Sequence, residues 1–308
     1  MTTCLCCEEP LEGDGRYHDK CLERLFGRRR VPSIPFRLED VPAQVVNTGG
    51  RMSISGVQMK LSVRVNPTDW EIETVATGGT HILKPEPNQF PEFPANENLC
   101  MNIADDLKLL VPPHGLFPMA DGKLCYIIKR FDRLDDGTRL QNETMYQILE
   151  SAEKYDASLE RVGKAVRAHV DNIGLDLIDF FERVVLCFLI GNGDMHLKNW
   201  AILTLESGAR VLAPCYDFVS SRLYIPKEDE SALTINGKKN RLQRRDFETL
   251  AATLGVDGKA AQNSMRRIMG MGSRMRGRFS RSRLSPDLQR RLTAIVEERF
   301  SRLDAGRY

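Results

Sequence analysis

Gly191-Asn192-Gly193-Asp194-Met195-His196-Leu197-Lys198-Asn199-Trp200 is the stretch around which this chain is organised. An apolar run at 184–190 leads into it and a second, at 200–205, leads out. Within the six residues from Asp194 to Asn199 lie one carboxylate, one imidazole, one ammonium and one amide. Asp194 and Asn199 are five positions apart. That is the spacing at which phosphoryl-transfer enzymes place a proton-accepting Asp and a magnesium-binding Asn. Magnesium takes hard oxygen ligands, so a second carboxylate should follow. Asp217, in Cys215-Tyr216-Asp217-Phe218, fits: residues 200–205 and 210–212 read as a hairpin turning at Ser207-Gly208, which returns Asp217 to the loop. The competing reading is a polar loop between apolar segments with a chance D-x4-N spacing, and the rest of the chain has to decide.

A chain of 308 residues can bury a large core and form two lobes. Its 42% hydrophobic and 28% charged composition is ordinary for a soluble globular protein. No apolar run approaches the length of a membrane span, so no membrane partner is expected. Met1-Thr2-Thr3-Cys4 lacks the basic-then-apolar order of a signal peptide. The expectation is a cytoplasmic protein with reduced thiols. A net charge of +2 gives no ground for direct nucleic-acid binding. Arginine clusters at 28–30, at Arg241, Arg244 and Arg245, and at 274–283 read as solvated surface.

Cys4 and Cys7 form a C-x2-C pair, and His18 and Cys21 an H-x2-C pair. Two close pairs of such ligands suit tetrahedral zinc in a structural role, with Cys6 as a competing ligand; unrelated reduced cysteines are the alternative. Cys100, Cys125, Cys187 and Cys215 lie in apolar contexts and read as core. Residues 31–42 carry three prolines and read as a linker. The small residues of Gly49-Gly50-Arg51-Met52-Ser53-Ile54-Ser55-Gly56-Val57-Gln58-Met59-Lys60 allow a backbone cradle for phosphate, though an ordinary hairpin turn would look the same.

Strand character follows at 61–65, 70–75 and 81–83, and Lys84 leaves the last of these. A helix is expected over 94–111, with Leu99, Ile103, Leu107 and Leu110 on one face and Glu97 in its first turns. Glu97 is placed either to orient the strand lysine or to favour the helix N-terminus. Residues 124–133 read as an edge strand ending in charge. Helical patterns then dominate, at 144–149, 159–170, 176–190, 245–254 and 259–269 and in a last helix begun by Pro286. Met265, Met269, Met271 and Met275 read as core.

Strands first and helices afterwards give an α+β, two-lobe, protein-kinase-like fold. Its expected parts are a zinc-knuckle-like segment at 1–30, a strand-rich N-lobe at 31–135 and a helical C-lobe at 136–308. ATP would lie in the cleft between the lobes.

Several of these motifs together resemble the HipA family of bacterial serine/threonine kinases, toxins of type II toxin–antitoxin systems. They are Met52-Ser53-Ile54-Ser55-Gly56-x-Gln58-x-Lys60, His81-Ile82-Leu83-Lys84-Pro85, Glu97-Asn98, Arg130-Phe131-Asp132-Arg133, the 191–199 loop and Tyr216-Asp217-Phe218. The Ser-Ile-Ser loop looks most like HipT, the short kinase of the three-component version. Full-length members carry a subdomain before the glycine-rich loop that is expected to be missing here.

The resemblance implies Asp194 as catalytic base, with Lys198 and His196 as companion positions in the loop. It implies Asn199 and Asp217 as magnesium ligands and Lys84, oriented by Glu97, on the ATP phosphates. Gly56, Gln58 and Lys60 would belong to the nucleotide loop, with Ser53 and Ser55 as autophosphorylation positions. It further implies as partners a small HipS-like protein, a HipB-like DNA-binding antitoxin and an aminoacyl-tRNA synthetase substrate, tryptophanyl in the HipT case. Two alternatives stay open: a small-molecule phosphotransferase, and a non-catalytic regulatory pseudokinase.

Overall fold

The computed structural model describes residues 2–47, 58–134 and 137–304. Gly56, Ser53 and Ser55, and with them most of the expected glycine-rich loop, lie outside the described residues. The chain divides into two compact units. The first holds residues 1–102, 112–139 and 281–285; the second holds the remainder.

In the first unit, α1 (Asp19–Phe26) and α2 (Val41–Asn47) precede β1 (Leu61–Val65), β2 (Ile72–Thr74) and β3 (His81–Lys84). Then come α3 (Phe93–Asp106), which belongs to this unit as far as Asn102, β4 (His114–Pro118) and β5 (Leu124–Lys129). The strands form one antiparallel sheet in the order β2-β1-β3-β5-β4. Strand β1 buries Leu61 and Val63 at alternate positions, as a half-covered sheet requires. These residues join a core with Leu83, Phe117, Ile127, Leu22, Leu25, Cys4 and Cys6. The N-terminal segment therefore shares the sheet's core.

Four expectations change here. Residues 124–133 do not supply an edge strand: β5 lies between β3 and β4, and β4 forms the edge. The expected linker at 31–42 is partly core, with Ile34, Phe36 and Val41 buried and a turn of 3-10 helix at Leu38–Asp40. The strand expected from residue 70 begins at Ile72, because Trp70 takes a left-handed φ of 64° and closes a turn onto Asn66 O. The helix expected to reach residue 111 stops at Asp106, where Lys108 at φ 62° turns the chain and Leu109 N–H bonds back to Ala104 O. Leu110 is consequently 59% exposed and not a packing residue.

The second unit contains β6 (Asn142–Thr144), α4 (Met145–Ile148), α5 (Leu159–His169) and α6 (Ile173–Ile190). A hairpin, β7 (Ala201–Thr204) and β8 (Arg210–Leu212), completes a three-stranded sheet in the order β6-β7-β8. The helices α7 (Arg244–Leu254), α8 (Gly258–Met269), α9 (Gly272–Arg281) and α10 (Pro286–Asp304) follow. Helix α6 is buried almost all round from Phe180 to Ile190, the pattern of a central core helix. The arginine cluster at 274–283 is not simply solvated surface: Arg278 is buried and, with Arg274, ion-pairs with Asp106. Met265, Met271 and Met275 are core as expected, whereas Met269 is half-buried. Among the described residues, no helix is long and apolar enough to cross a membrane.

Candidate functional site

The Asp194 loop is set by the end of α6. Asn172 caps that helix at its start, and Gly191, at φ 71°, ends it with N–H bonds to Cys187 O and Phe188 O. Only a residue tolerant of positive φ turns the chain there. Asn192 Oδ1 then accepts from Asp194 N–H at 3.1 Å, and Asn199 Nδ2 donates to Asp194 O at 3.2 Å. Trp200 Nε1 donates to Met195 O, and Tyr216 Oη to Lys198 O. The loop backbone is thus tied down, while the Asp194 side chain stays half-buried.

Asp194 Oδ1 accepts a hydrogen bond of 2.6 Å from Tyr155 Oη. His196 is buried, stacks edge-on against Tyr155 at 5.4 Å, and feels the charges of both Asp194 and Asp217. Burial nevertheless lowers its pKa, so the imidazole is held neutral. Its Nδ1 has no hydrogen-bond partner among the described residues. Lys198 Nζ sits 4.5 Å from the Tyr146 ring centroid, a cation–π contact. Asn199 is buried. Asp217 is half-buried and holds a left-handed φ of 56°, a region that Asp tolerates better than most residues. Tyr216 beside it is pushed above the ordinary tyrosine range by burial and by the Asp217 charge.

Two further groups at this loop come from segments that carry no motif. One is Tyr155. The other is Glu228, whose Oε1 accepts from Ser221 Oγ at 2.7 Å while that same Oγ accepts from Gly193 N–H at 2.8 Å. Burial raises Glu228 to about 7, and the Asp194 charge adds to the shift. A side chain on Gly193 would strike Asp229 O and Glu228 Cδ, so the glycine permits this close approach.

In the first unit, Lys84 closes β3 and ion-pairs with Glu97 on α3, both side chains being almost wholly buried. The Lys84 Nζ also lies 5.5 Å from the Tyr126 ring centroid. Gln58 is buried, and its Nε2 has no partner among the described residues; Lys60 is half-buried just before β1. Arg130 and Arg133 both bind Asp132. Burial alone would raise the Asp132 pKa, but the Arg130 bonds hold it below the usual carboxylate range.

Cys4, Cys7, His18 and Cys21 come together, with their ligand atoms within 4.8 Å of one another. Four zinc donors at Zn–S distances of about 2.3 Å would sit roughly 3.8 Å apart, so the set needs only a small contraction. His18 Nε2 faces Pro10 O at 3.0 Å, which turns Nδ1 inward to 3.3 Å from Cys7 Sγ. This is the arrangement in which a backbone carbonyl fixes the tautomer of a metal-binding histidine. His18 N–H points at Cys4 Sγ, and bonds from Cys21, Cys6 and Cys7 press the Cys4 thiol well below its ordinary range. These donors fit zinc. Cys6 lies instead against β4, where a side chain on Gly115 would strike its Sγ.

The HipA-like C-terminal domain model matches residues 52–275. A Haemophilus influenzae protein named "Putative kinase" is 30% identical over 206 residues, covering 63% of this chain and 60% of its own length. A Sinorhizobium fredii protein also named a putative kinase is 32% identical over 235 residues, covering 70% and 57%. The serine/threonine-protein kinase toxin HipA of Shewanella oneidensis is 24% identical over 226 residues, covering 65% and 51%. The chain thus spans between about half and three fifths of the length of these relatives.

Among solved structures, Shewanella oneidensis HipA, determined with HipB and operator DNA, aligns with a TM-score of 0.69 at 19% identity, covering 88% of this chain and 72% of that one. The Helicobacter pylori proinflammatory kinase CtkA aligns with a TM-score of 0.55 at 20% identity, covering 72% and 85%. The likeness to these two structures is one of fold. With the family model matched over well more than half of its length, this chain belongs to the HipA family.

Proposed function

We propose that this chain is an ATP-dependent serine/threonine-protein kinase, the toxin of a type II toxin–antitoxin system acting in the cytoplasm. The observation that carries this reading is the Asp194 carboxylate, tied into a rigid loop and already accepting a hydroxyl hydrogen bond at 2.6 Å. A carboxylate in that state is ready to take the proton of an attacking serine or threonine hydroxyl. As the proton passes to Asp194, the hydroxyl oxygen bonds to the γ-phosphorus and the bond to the ADP oxygen breaks. Asn199 and Asp217 supply the oxygen donors that suit magnesium, which when bound neutralises phosphate charge. Lys84, held by Glu97, contacts phosphate oxygens, and Gln58 and Lys60 flank the nucleotide loop. His196 shapes the loop as a neutral group, and Lys198 swings from Tyr146 to the transferred phosphate.

The finer assignments extend the same reading. The chain is of the HipT type. It pairs with a HipS-like protein and a HipB-like antitoxin, and it phosphorylates an aminoacyl-tRNA synthetase, tryptophanyl-tRNA synthetase above others. Solution of Shewanella oneidensis HipA with HipB and DNA supports the antitoxin class. The Cys4, Cys7, His18 and Cys21 donor set supports one structural zinc.

Autophosphorylation on Ser53 or Ser55 restrains the enzyme, because phosphate there adds roughly −1.5 to −2 charges beside the nucleotide. Intact mass tests the core of the proposal. Wild type expressed alone carries phosphate mapping to Ser53 or Ser55, and Asp194→Gln carries none. Equal phosphate on both proteins would overturn the assignment of Asp194.

A further inference from the structure

The four-ligand cluster joins two arms of chain, and each arm bonds to the element that carries one partner of the Lys84–Glu97 ion pair. The first arm is Cys4 to Glu8. Cys6 O accepts from Asn102 Nδ2 at 2.9 Å. Glu8 is fully buried at φ 56°, and its two carboxylate oxygens accept from Asn98 Nδ2 and Asn102 Nδ2, each at 3.2 Å. Asn98 and Asn102 are four apart on α3 and so share a face. Holding that face fixes the rotation of the helix, and Glu97, one residue before Asn98, is then aimed by it. Glu8 directly follows the ligand Cys7, and Cys6 lies between the ligands Cys4 and Cys7.

The second arm is His18 to Phe26. Cys21 lies inside α1, and Leu25 O, near the end of that helix, accepts from His81 Nε2 at 2.8 Å. His81 opens β3, the strand that Lys84 closes. Burial lowers the His81 pKa to about 4, so this imidazole is neutral and its Nε2–H is a fixed donor. One arm thus sets the helix of Glu97 and the other sets the strand of Lys84.

We propose that one zinc ion bound by Cys4, Cys7, His18 and Cys21 clamps these arms together, so that the Lys84–Glu97 pair forms only in the metal-loaded chain. The proposal rests on the role given above to that pair. Loading balances simply: Zn²⁺ takes three thiolates and one neutral imidazole, and the thiol protons leave to solvent. The site is then a positioning device for nucleotide binding, open to control by zinc supply or by thiol oxidants. Glu8 is its transmitting residue, a positioning group that touches neither metal nor nucleotide.

The test uses the full chain. Elemental analysis should find about one zinc per chain, and cobalt exchanged into the site should give the intense absorption of a tetrahedral thiolate complex. Hydrogen exchange then reads the clamp without nucleotide. Removing zinc with a chelator should speed exchange of the α3 and β3 amides by about tenfold or more. Since chelation can unfold the unit, Glu8→Gln is the second arm of the test. It keeps one acceptor oxygen but sets an amide NH₂ against the other asparagine donor, so α3 should loosen in the same direction while zinc stays at one per chain. The affinity for Mg-ATP should fall in step. A zinc-free protein purified without chelator would overturn the proposal. So would unchanged α3 and β3 exchange in both the stripped protein and Glu8→Gln. Loss of α3 protection in a protein that never binds Mg-ATP would support the clamp and overturn the kinase reading instead.

Discussion

The buried charges of the first unit and those at the Asp194 loop of the second are treated in opposite ways. In the first, each buried charge has polar partners of its own: Lys84 with Glu97, the Glu8 carboxylate with two asparagine amides, Asp132 with Arg130 and Arg133. In the second, acidic groups gather at one loop with little compensation. Burial raises Glu228, Tyr155 and Tyr216, and the Asp194 charge adds to the first two shifts as the Asp217 charge does to the third. A matched pair fixes geometry, because moving either partner strands a buried charge. A cluster of carboxylates favours the arrival of a cation or a proton. The first arrangement holds a position, and the second favours an arriving cation or proton.

The sharpest way to break this contrast is to remove charge at the acidic loop. Asp194→Gln should lower phosphoryl transfer by at least about a hundredfold, since an amide cannot accept the hydroxyl proton. Its stability should move by no more than about 0.5 kcal/mol. Asp217→Asn keeps a residue that tolerates the left-handed backbone, so it should fold as well as wild type while losing magnesium-dependent nucleotide binding. The measurements are ATP turnover, nucleotide titration and urea unfolding on the same preparations. Unfolding at markedly lower urea in either variant would show that these carboxylates hold structure, and the contrast would fail.

In the matched region the same kind of change should act on stability. Lys84→Met leaves Glu97 buried without its ammonium, which costs about 3–5 kcal/mol when one partner of a buried pair is removed. Replacing both, Lys84→Met with Glu97→Met, should recover much of that loss while leaving nucleotide binding absent. Urea unfolding of the two variants checks this. A single variant as stable as wild type would mean that the pair is not a structural element of the first unit.

The difference between the regions also decides what sequence alone reveals. The placement of Asp194, Asn199 and Asp217 was legible because their spacing is carried within one loop and one hairpin. Gly208, at φ 84°, makes the turn that the Ser207-Gly208 pair predicts. Tyr155 and Glu228 reach the same loop from 39 residues before Asp194 and from seven residues past Ser221, in stretches with no motif. Glu8 meets α3 across 90 residues or more. The arginine run at 274–283 has no visible partner in sequence, because Asp106 lies 172 residues from Arg278. Strand β4 shows no clear alternation, since Gly115 is there to admit Cys6. Periodicity and motifs report local constraint, whereas charge matching is set by pairs that meet only on folding. The HipA-family likeness was legible in the order of the motifs, which the family model then matched over residues 52–275.

The smallest expected effect lies at Glu228, and it tests whether the acidic loop is strained by its own charge. Burial raises this carboxyl from 4.5 to about 7, Ser221 Oγ–H opposes the shift, the Asp194 charge reinforces it, and the Arg222 charge opposes it. A folded pKa above the unfolded one gives stability that is complete below the unfolded value and is lost as pH rises through the folded value. Glu228 should therefore weaken the fold progressively between about pH 4.5 and 7. Glu228→Gln keeps an oxygen for Ser221 and has no charge to lose. Because Glu228 is only partly buried, solvent screening limits the gain to under about 1 kcal/mol. The difference in Tm, variant minus wild type, should be near zero at low pH and grow to about two degrees above neutrality. His196, whose pKa is lowered, acts with the opposite sign at lower pH, and it cancels in that difference because both proteins carry it. A difference that stays flat across the range, or falls with pH, would show that Glu228 is comfortably charged beside Asp194 and that the loop is better compensated than its carboxylates suggest.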